Sequence, residues 1–253
     1  FNTGYMTNLG ILYGLLQTGD VVFSDELNHA SIIDGCRISR CKVVVYKHND
    51  MADLQRLLET EIVTGQRFIV TDGVFSMDGD IADLPSLAVL KKQFNACLIV
   101  DDAHGVGVIG NDGSGTASHY GLTDVIDLQV GTLSKALAAE GGYVAGKKIL
   151  IDYLINRSRP FIFSTALAPA TLAAANAALL LLQTQASKYL DSLRANSRLM
   201  RRLLLEGGLN VVEGITQIIP VVIGEAGLTM QFADRLKSKG ILVSGIRPPT
   251  VPR

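Results

Sequence analysis

Apolar positions along this chain follow two rhythms. Short apolar runs rich in valine and isoleucine recur at 21–23, 43–46, 68–70, 97–100 and 125–130. Runs of this length and composition predict buried strands. A further strand, flanked by glycines, is expected at 143–145. Between the runs, apolar residues return every third or fourth position. Residues 6–17 do so at Leu9, Leu12, Tyr13 and Leu16, and helices are also expected from 30 to 35, over 51–61 and up to Phe94. Thr3, Asp50 and Asp83 stand where N-terminal caps belong. Strand and helix in alternation predict an α/β protein with a mainly parallel sheet. From 167 the pattern changes. An alanine-rich stretch opens two expected helices that run to Glu206. Apolar runs at 211–212, 218–223 and 241–243, with a helix over 228–239, then form a β-β-α-β pattern. That pattern predicts a small C-terminal α+β domain.

Composition narrows the class of function. The 253 residues are 48% hydrophobic and 19% charged, with a net charge of −1. No basic run or stripe is present, which argues against a nucleic-acid partner. Three cysteines, Cys36, Cys41 and Cys97, have neither disulfide nor zinc spacing, so no metal is expected and a reducing cytoplasm fits. No signal peptide is visible. The longest apolar region, 167–182, contains Pro169, Thr171 and Asn176 and falls short of the ~20 residues a membrane span needs. The glycine series from Gly105 to Gly115 lacks the strand-turn-helix setting of a dinucleotide loop.

Chemistry concentrates at predicted strand ends, where open α/β sheets bind ligands. Lys135 follows the run 125–130 and has small neighbours. Loop lysines are ordinarily solvated, but a partly desolvated lysine can bond a carbonyl carbon. The run 97–100 leads into Asp101, Asp102 and His104, so Asp101 and His104 should face the same crevice as Lys135. Lysine, aspartate and histidine so grouped are what pyridoxal phosphate needs: an amine for its carbonyl, a carboxylate for its ring nitrogen and a donor for its substituents. Upstream, Gly4 and Tyr5 open the first helix, whose free N–H groups could hold an anion. His29 starts another helix and Ser76 follows the run 68–70. Alone, each reads as structural.

Together the segments 28–31, 101–105 and 132–135 resemble the α-oxoamine synthase family of fold-type I pyridoxal phosphate enzymes. The resemblance covers essentially the whole chain, with the motifs in family order. It implies a seven-stranded, mainly parallel sheet in a large cofactor-binding domain, residues 1–182, and a small C-terminal domain, residues 183–253. It implies that Lys135 bonds the cofactor, Asp101 pairs with its ring nitrogen and His29 stacks on its ring close to substrate. Ser76 and His104 would fix the ring. Gly4, Tyr5 and Thr132 would hold the phosphate, joined by Ser164 and Thr165 from the second protomer of a homodimer. Thr250 matches a substrate contact. The tail 247–252 favours the member that joins L-alanine, with loss of carbon dioxide, to pimeloyl-CoA or a pimeloyl carrier protein. Glycine acetyltransferase, 5-aminolevulinate synthase and serine palmitoyltransferase differ from it mostly in substrate. A fold-type I aminotransferase would share only Lys135 and an aspartate, and a scaffold subunit need not keep Lys135, Asp101 and His29. Two positions depart from the family: Thr3 replaces a more usual serine, and Ser114 a common arginine. Resembling enzymes carry a longer N-terminal arm and a further C-terminal segment, so both ends are expected to be cut.

Overall fold

The computed structural model describes residues 1–251. In chain order the elements are α1 (Gly4–Leu15), β1 (Val21–Asp25), α2 (Ala30–Ile38), β2 (Lys42–Tyr46), α3 (Met51–Thr60), β3 (Arg67–Asp72), α4 (Leu84–Gln93), β4 (Ala96–Asp101), α5 (Thr116–His119), β5 (Leu128–Thr132), β6 (Gly142–Gly146), α6 (Lys148–Arg157), α7 (Arg159–Ile162), α8 (Pro169–Glu206) and α9 (Ala226–Lys237). The strands form one sheet in the order β2-β1-β3-β4-β5-β6. Every pairing is parallel except β5 with β6. The described residues thus give six strands, not seven. The seventh came from the family resemblance; beyond the edge strand β6 the backbone of Phe1 pairs with Gly142 in both directions, without forming a further strand among the described residues.

Alternation along each strand sends side chains to opposite faces. Phe23, Val44, Tyr46, Ile69, Leu98 and Val100 pack on Leu54 and Leu58 of α3 and on Leu84, Leu87 and Leu90 of α4. Val22, Phe68, Val70, Ile99, Leu128 and Val130 pack on Ile11, Leu12 and Leu15 of α1, Ile32 of α2 and Leu154 of α6. Both faces are therefore covered, which is why the strands read as apolar runs and not as alternating ones.

Helix starts follow the expected caps. Thr3 accepts the N–H of Met6, Asp50 that of Asp53, and Asp83 that of Ser86. The fifth strand begins at Leu128, three residues later than its apolar run. Asp127 takes the N–H of Leu98 on its own carboxylate at 2.8 Å, so regular pairing starts one residue on.

The C-terminal pattern is only partly realised. The expected pair of helices is present, running on from one another within α8 across a break at Gln185, where φ is −135° and ψ is 19°. The apolar runs that follow give one bridge, Val211 to Val221, and no ladder. Pro220 offers no N–H, and Arg201 binds the carbonyls of Val212 and Ile218, so few backbone groups remain to pair. Residues 241–243 lie unpaired, with Leu242 85% exposed. Of the tail 247–252, Pro252 lies outside the described residues, as does Arg253. No described helix is long and apolar enough to cross a membrane.

Candidate active site

Parallel pairing points the carboxyl ends of β1, β3, β4 and β5 the same way, and the loops leaving them meet over one cavity of about 230 Å³. β1 leads to His29, β3 to Ser76, β4 to Asp101 and His104, and β5 to Thr132 and Lys135. The N-terminus of α1 closes the cavity with Gly4 and Tyr5. Eight of the eleven residues singled out from sequence therefore line one space. Ser164, Thr165 and Thr250 do not. Thr165 instead gives its carbonyl to Asn2 at 2.7 Å, and Thr250 lies exposed in the tail.

Asp101 ends β4, buried, directly beside Asp72 at the end of β3. Burial raises both carboxyls, and the charge of Asp101 raises Asp72 further. Asp101 is better compensated. Asn8 donates to it at 2.6 Å, the N–H of Ala103 at 3.0 Å, and the Lys135 ammonium attracts it. Asp101 is thus the member of the pair that keeps its charge. Asp72 binds the backbone N–H of His29 at 2.7 Å and so fixes where that ring begins. Asp102, next along the chain, turns away from the cavity. It accepts the N–H of Thr116 at 2.7 Å, and burial raises it to about 6.

His29 caps α2 with its own ring. Nδ1 accepts the N–H of Ser31 at 3.2 Å and lies 2.7 Å from the Ser31 hydroxyl. This leaves the proton on Nε2. Burial lowers the ring's affinity for a second proton; Asp101 opposes that and Lys135 adds to it. His104 is pushed down to about 4 by burial, with Lys135 and His29 adding. Both imidazoles are neutral donors at neutral pH.

Lys135 is exposed at the mouth of the cavity, whereas small neighbours led to the expectation of partial desolvation. Its amine makes no hydrogen bond or ion pair among the described residues. Lys91 and Lys147, by contrast, are both held by Asp127, at 2.8 and 2.9 Å. Thr132 and Ser134 sit 2.8 Å apart through their hydroxyls, and Thr132 donates to the carbonyl of Gly141 at 3.0 Å. At the facing end of α1, the N–H groups of Gly4 and Tyr5 have no acceptor among the described residues. A Cβ on Gly4 would come within 3.2 Å of Thr132, so glycine there keeps a cradle open for an anion.

Sequence reasoning left out four cavity-side residues. Asp72, Ser31 and Ser134 line the space. Asn8 lies behind it and supports Asp101. A polar residue on the buried face of an apolar helix was the available signal for Asn8.

The chain belongs to the aminotransferase class I and II family, whose description matches residues 1–253. Its fold is that of the fold-type I pyridoxal phosphate transferases. It is 53% identical over 254 residues to 8-amino-7-oxononanoate synthase from Geotalea daltonii, covering all of this chain and 65% of that protein. A serine palmitoyltransferase from S. paucimobilis, solved with PLP and myriocin bound, matches with a TM-score of 0.93 and 32% identity, over 96% of this chain and 64% of that one. The structure of 8-amino-7-oxononanoate synthase from Francisella tularensis matches with a TM-score of 0.85 and 33% identity, over 99% of this chain and 72% of that one. The chain spans just under two thirds of the length of the curated relatives it matches.

Proposed function

We propose that this chain condenses L-alanine with a pimeloyl thioester, losing carbon dioxide and releasing 8-amino-7-oxononanoate and the thiol carrier, in the biosynthesis of biotin. The observation that carries it is the meeting of Lys135, Asp101, His29, Ser76 and His104 over one cavity, opposite a helix end with free N–H groups. The 53% identity to a synthase of this name supports this choice of substrates.

The donor set fits pyridoxal phosphate. When bound, that cofactor supplies an electron sink for charge developing at the α-carbon of the amino acid. Lys135 would hold it through its amine, which nothing else among the described residues engages. The same amine would also stand where it can take the α-proton of the amino acid. Asp101 would keep a proton on the ring nitrogen. His29 would lie over the ring with its Nε2–H toward substrate, and Ser76 and His104 would hold the phenolic oxygen. Gly4, Tyr5 and Thr132 would hold the phosphate.

Ser164 and Thr165 lie outside the cavity of their own chain, consistent with service to a partner's phosphate in a homodimer. Thr250 would contact substrate. We place the smaller domain at residues 183–253, starting two residues before the break in α8 at Gln185, and the protein in the cytoplasm.

A second reading is favoured by the serine palmitoyltransferases, which superpose with TM-scores up to 0.96. One assay separates the two. The chain is loaded with cofactor and given alanine, glycine or serine with pimeloyl-CoA, acetyl-CoA or palmitoyl-CoA, and thiol release is followed. Alanine with pimeloyl-CoA should be fastest; faster release from serine with palmitoyl-CoA overturns the assignment.

A further inference from the structure

A second cavity, about 320 Å³, lies between the loop after β4, the second half of α8 and residues 214–217. Arg194, Arg198 and Arg201 line one wall, spaced four and three residues apart and so on one face of the helix. No aspartate or glutamate lines it. Arg202, on a different face, pairs with Glu206. These arginines read from sequence as a solvated face, and three of them instead enclose a space.

Two of the three are held in place by backbone carbonyls. Arg194 donates to the carbonyl of Gly110, and Arg201 to the carbonyls of Val212 and Ile218. A carbonyl fixes a guanidinium but carries no net charge. Among the described residues their one ion pair is Arg194 with Asp191, at 3.6 Å, and Asp191 is 74% exposed. Arg198 makes no ion pair among the described residues. Val108, Ile109 and Leu193 give the same cavity an apolar side. Charge and apolar surface together in one cavity suit an anion joined to an organic body. Guanidinium forks match the tetrahedral oxygens of phosphate.

We propose that this cavity binds a phosphate ester, its phosphate held by Arg194, Arg198 and Arg201. The inference stands apart from the condensation proposed above. The cavity also shares a wall with the first one. Gln217 donates to the carbonyl of His104 at 3.0 Å, and Thr216 to that of Gly79. A ligand here therefore touches the loop that abuts His104.

The test uses the chain loaded with pyridoxal phosphate and then desalted of the excess, so that the cradle at Gly4 and Thr132 is filled and no free cofactor competes. Phenyl phosphate is titrated by calorimetry, with benzyl alcohol as an uncharged counterpart. One saturable site is expected for phenyl phosphate and none for benzyl alcohol. Arg198→Gln should weaken binding at least tenfold, and the exposed position of Arg198 makes loss of fold an improbable cause. Slower amide exchange across residues 214–218 on adding phenyl phosphate is the second expected result. Equal affinity in Arg198→Gln, or no saturable binding of phenyl phosphate to the loaded and desalted chain, overturns the proposal.

Discussion

The lysines of this chain are sorted by their partners. Lys91 and Lys147 share Asp127, while Lys135 has no partner among the described residues and faces the cavity. Borohydride reduction of the cofactor-loaded protein should therefore fix the label on Lys135 alone, as peptide mapping would show; label on Lys91 or Lys147 contradicts the assignment. Lys135 was legible in sequence because a strand-end lysine among small residues is a local signal. Asn8 was not, because its meaning depends on Asp101, ninety-three residues away. Asn8→Ala removes a buried bond to a carboxylate and should cost about 1–3 kcal/mol in urea unfolding. His48 gives a different kind of test. Burial would lower its pKa, but bonds to Asp25 at 3.0 Å and Asp80 at 2.9 Å prevail and raise it to about 10. A folded-state value above the unfolded ~6.5 stabilises the protein fully below that pH. The contribution is lost as pH climbs through about 10. The urea midpoint should fall between pH 7 and 10, and His48→Gln should flatten that fall. An unchanged slope in the variant would mean that other groups carry it.

At the scale of elements, the strands and caps of the parallel sheet could be read directly, since each depends on neighbours in sequence. The C-terminal strands could not. A strand needs a partner as well as a pattern, and around residues 211–223 the partner groups are taken by Arg201 or missing at Pro220. The most consequential element contact is between α1 and β6. A Cβ on Gly142 would come within 2.3 Å of the Thr7 hydroxyl and 2.9 Å of the Gly4 backbone. Gly142→Ala should therefore push the start of α1 away from Thr132 and widen the anion cradle. Equilibrium dialysis should show pyridoxal phosphate binding at least about tenfold weaker, or roughly 1.4 kcal/mol, with the far-ultraviolet spectrum retained. Full affinity in this variant would show that α1 does not hold the phosphate.

At the scale of the whole molecule, the α/β class and the convergence of strand ends were legible because sheet polarity forces them. The residues proposed to act across a dimer were not testable by reading one chain. Phe161, Ile162 and Phe163 lie 44% to 71% exposed just before Ser164 and Thr165, a poor arrangement for a solitary molecule. Phe163→Asp should shift sedimentation from dimer to monomer and weaken cofactor binding together; a wild-type protein that sediments as a monomer would remove the basis for shared sites. Sheet polarity also has a practical side. Every loop that feeds the first cavity leaves the carboxyl rim, so the turns at the other rim take no part in it. Ile62, 87% exposed between α3 and β3, and Thr123 and Asp124, exposed ahead of β5, lie at that far rim. A fluorophore, a surface tether or an inserted peptide placed there would report on the protein or immobilise it with its working face outward.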